Sequence, residues 1–182
     1  VLESPHTILG HCVFLDDIVK KLLRESPVWV VQNVESNQNN NVGATGYIGL
    51  TGNVMLGTDG MHSDMLRSAK AAYLVGQNTE GVSPDQMYAR FRNVHRFIKT
   101  MGAEGDDENN LVVLDYDTPT EITSENFTGH FIYGLESSHV LSVIAQGKVI
   151  VEDRRITTVD EAEILADARE QGLRLWQKLA EA

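Results

Sequence analysis

The sequence predicts an α/β fold: a parallel sheet wound with helices in the first half, then a smaller antiparallel part and a terminal helix. Three observations predict it. Up to Met101, short apolar runs alternate with segments of helical period, the pattern of strands joined by helical crossovers. Beyond Gly102 the apolar runs crowd together, and Gln146-Gly147 separates two of them as a hairpin turn does. From Thr158 onward, apolar residues recur at helical spacing.

The elements follow in order. Thr7 to Val13 reads as a buried strand, and Asp16 opens a helix with Ile18, Val19, Leu22 and Leu23 on one face, stopped by Pro27. Val28 to Gln32 is a second apolar strand. The polar, glycine-containing stretch from Asn33 to Gly49 reads as a long loop, and loops of that length are usually functional or mobile. Val54-Met-Leu56 is a third strand running into Gly57-Thr-Asp59-Gly60. Ser63 is expected to cap a helix carrying Met65, Leu66, Ala69, Ala72 and Tyr73. Ser83-Pro84 starts another, with Met87, Phe91, Val94 and Ile98 on its face. Gly102 to Asn110 is an acidic linker in which Asp106-Asp-Glu108 reads as a solvated charge run. Strands are expected at Leu111 to Asp115 and Gly129 to Leu135, and at Val140 to Ala145 paired with Lys148 to Glu152. Thr158-Val-Asp-Glu161 reads as a capping box. The helix behind it carries Ile164, Leu165, Ala168, Leu175, Trp176 and Leu179.

Composition narrows the function. The chain has 182 residues, 42% of them hydrophobic, enough for an ordinary domain core. Its net charge of -11 repels phosphate backbones, which argues against nucleic-acid binding. No run approaches the ~20 apolar residues of a membrane span. Cys12 is the single cysteine, so an internal disulfide and a multi-cysteine zinc site are excluded; a reducing cytoplasm fits. The chain opens Val1-Leu-Glu-Ser-Pro-His6 with neither an initiator Met nor a signal peptide, and is expected to be a fragment or a processed product.

Three places carry residues fit for chemistry, each at the C-terminal end of an expected parallel strand, where α/β barrels keep their active sites. The first is Gly10-His11-Cys12, where strand alternation sends His11 and Cys12 to opposite faces. His11 suits a metal or a proton, or a core hydrogen bond; Cys12 reads as a small buried hydrophobe. The second is Asn33-Val-Glu-Ser36-Asn37, whose amides and hydroxyl suit a polar heterocycle or plain turn formation. The third is Gly57-Thr-Asp59-Gly60 with His62 and Asp64. A carboxylate after an apolar strand can bind a cation and take a proton from water, or cap the next helix. His6, His95, His130 and His139 lack partners at metal-ligand spacing and read as structural or surface residues.

His-Cys after one strand, Asn-x-x-Ser-Asn after the next and Gly-Thr-Asp-Gly after the third together resemble the sixth to eighth strands of the amidohydrolase superfamily. The similarity is strongest to its chlorohydrolase/deaminase branch. Within that branch, Gly57-Thr-Asp-Gly-Met-His-Ser-Asp-Met65 resembles the aminohydrolases linked to selenium metabolism, the SsnA type. Leu111 to Tyr116 and Val143 to Ile150 resemble strands of the small β-sandwich that accompanies this barrel. The resemblance implies an incomplete (β/α)₈ TIM barrel in residues 1–101, β-sandwich strands in 102–157 and a C-terminal helix in 158–182. It implies one divalent metal, zinc or iron, and hydrolysis of C–N or C–Cl bonds by metal-activated water, with a small polar or heterocyclic substrate. His11 would polarise substrate or steady the water, and Asp59 would be metal ligand and proton acceptor. Asn33, Ser36 and Asn37 would line the substrate pocket, which His62 would extend.

Two departures matter. Val34 replaces a proline found in many relatives, making the loop less rigid. The superfamily's His-x-His on the first strand and its histidine on the fifth have no counterpart, whereas a catalytic zinc usually takes three or more protein ligands. The chain alone is therefore expected to bind metal poorly and to be inactive without the missing N-terminal half of the barrel. Three strands leave open edges, which invite pairing, including with a second copy. A non-catalytic interaction domain derived from an amidohydrolase is the alternative, and an unrelated α/β domain with structural His11 and Asp59 a third.

Overall fold

A computed structural model describes residues 1–104 and 109–181; the acidic run Asp106–Glu108 lies outside the described residues. Two compact units divide the chain, the first within residues 1–106 and 116–139, the second within 107–115 and 140–182.

The first unit is built on three parallel strands, β1 (Ile8–Gly10), β2 (Trp29–Gln32) and β3 (Val54–Leu56), in that spatial order. Gly10 pairs with Val31 and Gln32 with Leu56, so all three strands end on one edge of the sheet. Helix α1 (Asp17–Arg24) follows β1, capped by Asp16 as its sequence predicts. Its expected apolar face is mostly exposed: Leu23 is buried, whereas Ile18, Val19 and Leu22 are not. Leu23, Val28, Val30, Tyr47, Leu50 and Val54 form a continuous core cluster. Each fully buried side chain of this size contributes roughly 1.5–3 kcal/mol.

Several expectations give way. β1 is shorter than Thr7 to Val13, because His11 (φ 66°) and Cys12 (φ 50°) are left-handed and turn the chain out of the strand. Alternation therefore does not separate those two side chains. The stretch read as a loop opens with a helix, α2 (Val34–Asn39), which buries Val34, Ser36 and Asn37. Asn, Ser and Gln form helices poorly, so burial and side-chain bonds to neighbouring segments hold this one. Helix α3 (Met65–Thr79) is capped by Asp64 rather than Ser63, which sits at φ 57°. Helix α4 (Pro84–Met101) has the expected start, a full capping box of Ser83 and Gln86. Residues 129–135 are not a strand. A short turn α5 (Phe127–Gly129) continues into a π-helical segment His130–Gly134. Phe127 and Phe131, four apart, both meet Tyr88 edge-on at 5.1 Å, so helical spacing serves the aromatic cluster.

The second unit is an antiparallel sheet of β4 (Leu111–Leu114), β5 (Val140–Ala145), β6 (Lys148–Glu152) and the unforeseen β7 (Arg155–Ile156), in that order. The β5–β6 turn is Gln146-Gly147, both at positive φ (51° and 73°), the backbone that a two-residue hairpin requires. Helix α6 (Glu161–Ala180) is capped by Asp160, not by Thr158, and buries none of its described residues. Its expected apolar face is open, with Leu175 56% and Trp176 70% exposed. Among the described residues, no helix is long and apolar enough to cross a membrane.

Candidate active site

The parallel sheet places the three expected segments side by side. His11 N donates to Val31 O and Gly57 N to Gln32 O, so the strand ladder extends one residue past β1 and β3 before the chains diverge. Gly57 is required there: a Cβ on it would stand 2.3 Å from Asn33 Oδ1 and 2.6 Å from Val31 Cγ1.

His11 and Asp59 face one another, Nε2 to Oδ2 at 3.6 Å, with side chains 42% and 44% exposed. Each is held from α2. Asn37 Oδ1 lies 2.7 Å from His11 Nδ1. A carbonyl oxygen only accepts, so Nδ1 carries a proton and Nε2 is the nitrogen that faces Asp59. Ser36 Oγ donates to Asp59 Oδ2 at 2.6 Å, and Gly60 N donates to Oδ1 at 2.8 Å. The Ser36 bond first, then the Gly60 bond and the nearby His11, hold the Asp59 carboxyl below its ordinary range against a smaller effect of burial. Asp59 is left-handed (φ 55°), which a short side chain bonding the next backbone N–H supports.

The His11 backbone is fixed from the core. Tyr47 Oη donates to His11 O at 2.5 Å. Glu80 Oε2 accepts from the backbone of Tyr47 (2.5 Å) and Ile48 (2.7 Å), while Glu80 Oε1 and Gln32 Oε1 each take Arg90 Nη1 at 2.8 Å. Burial pushes the Tyr47 phenol well up, with Cys12 and Glu80 adding to it, so the hydroxyl stays a donor. Burial likewise raises the Cys12 thiol and keeps it protonated.

Sequence reasoning missed Glu35, Arg67, Tyr47, Glu80 and Arg90. Glu35 bridges His62 (2.7 Å) and Arg67 (2.9 Å), and no motif pointed to it. A cleft of about 270 Å³ beside this segment is lined by Asp64, Arg67, Lys70, Leu135 and Glu136 to Ser138, and includes neither His11 nor Asp59. Of the remaining histidines, His6 and His130 make hydrogen bonds at Thr100 O and Tyr116 Oη, and His139 accepts from Glu136 N.

No family model matches the sequence. The chain is 27% identical over 186 residues to the 5-methylthioadenosine/S-adenosylhomocysteine deaminase of Dictyoglomus thermophilum, covering 94% of this chain and 44% of that protein. It is 26% identical over 187 residues to the 5'-deoxyadenosine deaminase of Methanococcus maripaludis, covering 93% and 43%. The chain is thus similar, over nearly all of its own length, to these deaminases. The fold agrees. An adenosine deaminase from Xanthomonas campestris with bound zinc superposes with a TM-score of 0.78 at 21% identity, over 93% of this chain and 42% of that one. The atrazine chlorohydrolase of Arthrobacter aurescens complexed with zinc gives 0.72 at 15% identity, over 92% and 41%. The chain spans less than half the length of the relatives it matches.

Proposed function

We infer that the chain is the C-terminal portion of a metal-dependent deaminase, its parallel strands the last three of a (β/α)₈ barrel and its antiparallel sheet part of a β-sandwich. The observation that carries this reading is the His11–Asp59 pair, held 3.6 Å apart at the ends of two parallel strands. Nε2 and the Oδ2 carboxylate oxygen face one another, an arrangement suited to sharing a proton, a water or a cation.

A nitrogen and a carboxylate oxygen are donors suited to zinc or iron. Among the described residues, no group of three His, Cys, Asp or Glu stands together, so this chain would supply Asp59, with His11 beside it, and other ligands would come from elsewhere. When bound, the metal would acidify water and so supply the nucleophile at neutral pH. Asp59, kept ionised by Ser36 and Gly60, accepts the proton released as water adds to a substrate carbon, and returns it to the departing amine. His11, its tautomer fixed by Asn37, holds the attacking water through Nε2. Amine and water exchange, and ammonia leaves. Asn33, Ser36 and Asn37 form the wall behind the pair. The names of the relatives favour an adenine nucleoside as substrate: 5'-methylthioadenosine, S-adenosylhomocysteine or 5'-deoxyadenosine.

Ammonia release from these three compounds tests the reading, measured on the chain alone and on the chain joined to an N-terminal barrel half, with zinc. Turnover is expected only with both parts, and Asp59→Asn is expected to lower kcat roughly 10²–10⁴-fold. Full activity of Asp59→Asn would exclude this role.

One observation favours a second reading, a non-catalytic interaction domain. The second unit leaves Leu111, Val112 and Val113 of β4 and most of the apolar face of α6 uncovered. That reading expects no turnover even when an N-terminal half is supplied.

A further inference from the structure

Three consecutive residues of α2 reach three different places: Asn37 holds His11, Ser36 holds Asp59, and Glu35 holds His62 and Arg67. The first two bonds touch the reacting pair. The third does not, yet it is well covered: the side chains of His62 and Glu35 are 19% and 18% exposed. His62 Nδ1 accepts from the backbone N of Asp64 at 3.0 Å. A backbone N–H only donates, so Nδ1 is bare and Nε2–H donates to Glu35 Oε2 at 2.7 Å. Both ring nitrogens are thereby engaged inside the protein.

Resting on the reading of His11 and Asp59 as the reacting pair, we propose that Glu35 and His62 form a clamp that sets the position of Asp59. The segment from Gly57 to Asp64 needs one. Asp59 and Ser63 are both left-handed non-glycine residues, at φ 55° and 57°, a backbone that holds its shape only when its surroundings fix it. Ser68 Oγ fixes the start through Gly57 O, and Asp64 fixes the end as the cap of α3. Between them Asp59 meets α2 through the Ser36 hydroxyl, and the clamp adds a second attachment to the same helix three residues later. Arg67, on Glu35 Oε1, completes the clamp by neutralising its charge and orienting the carboxylate. Glu35 and His62 are positioning residues here, with Ser36 and Asn37 the contacts they keep in register.

The test reads the clamp without turnover. On the uniformly ¹⁵N-labelled chain, long-range imidazole ¹H–¹⁵N correlation is expected to show the Nε2–H tautomer at His62. Glu35→Gln, whose side-chain carbonyl still accepts from Nε2–H, is expected to keep that signature. Glu35→Ala is expected to keep the tautomer, which the Asp64 amide still selects at Nδ1, but to speed exchange of the His62 Nε2–H and of the Gly60 amide, which donates to Asp59, about fivefold, the effect of one net hydrogen bond. An Nδ1–H tautomer in the parent chain, or an unchanged Gly60 amide in folded Glu35→Ala, overturns the proposal. Should Glu35→Ala not fold, His62→Ala cuts the same bond from the other side, and an unchanged Gly60 amide there overturns it equally. In the active protein, Glu35→Ala is expected to lower kcat roughly 10–100-fold with KM little changed, and Glu35→Gln to restore most of it. Full activity of Asp59→Asn would instead sink the catalytic pair, leaving the spectroscopic result intact.

Discussion

Gly57 ends the third parallel strand, and the space its missing Cβ leaves is taken by Asn33 and Val31. A methyl group there must push an amide and a branched side chain of the neighbouring strand and helix start. Gly57→Ala is therefore expected to cost about 1–3 kcal/mol, typical of overpacking, read as a lower urea midpoint with an unchanged slope. Because Asn33 lies at the start of α2, the substitution should also disturb the His11 and Asp59 contacts. At this scale the sequence was partly legible: His11, Asp59, Ser36 and Asn37 were singled out from residue type and order, and the fold brings them together. Glu35 was not, because an ordinary glutamate acquires its meaning only when residues 27 and 32 positions away meet it.

Among the elements, those with strong local signals formed as expected. The Asp16 cap, the Ser83-Pro84 start and the Gln146-Gly147 turn are each specified by neighbours in sequence. Ser83 accepts from Gln86 N at 3.2 Å while Gln86 Oε1 accepts from Ser83 N at 2.8 Å. Ser83→Ala is expected to remove about 1 kcal/mol, seen in chemical denaturation, with Gln86→Ala costing less because the Ser83 hydroxyl remains. Helix α2 and the helical stretch from Phe127 to Gly134 were not legible. The first has a polar, asparagine-rich sequence that reads as loop. The second is a short apolar run that fits strand and helix equally by pattern. In both, partners far along the chain decide: Asp59 and His11 for α2, Tyr88 and Phe91 for the aromatic turn.

At the scale of the molecule, the Glu80–Arg90 pair ties the first unit together, with side chains only 4% and 7% exposed. Burial alone would raise the Glu80 carboxyl, but Arg90 and the amides of Ile48 and Tyr47 more than offset it, leaving it below its ordinary range. The unfolded chain thus binds the Glu80 proton more readily than the folded one. The resulting stability is complete above the ordinary carboxylate range and is lost as pH falls through the lowered folded value. Urea midpoints are expected to decline below about pH 4.5. Glu80→Gln, which leaves Arg90 buried without its counter-charge, is expected to cost about 3–5 kcal/mol at pH 7 and to flatten that decline. Since this pair fixes the Tyr47 backbone, and Tyr47 holds His11 O, the same variant should loosen the site.

By itself the sequence determined the parallel strands, the hairpin, the main helices and the resemblance to amidohydrolases, since periodicity, caps, turn residues and ordered strand-end motifs are local and survive divergence. Tertiary structure alone decided that a polar stretch becomes α2, that Asp64 rather than Ser63 caps α3, and that Glu35 pairs with His62 and Arg67 and Glu80 with Arg90. Those outcomes depend on which distant groups satisfy buried donors and acceptors, and such pairing exists only once the strands have aligned.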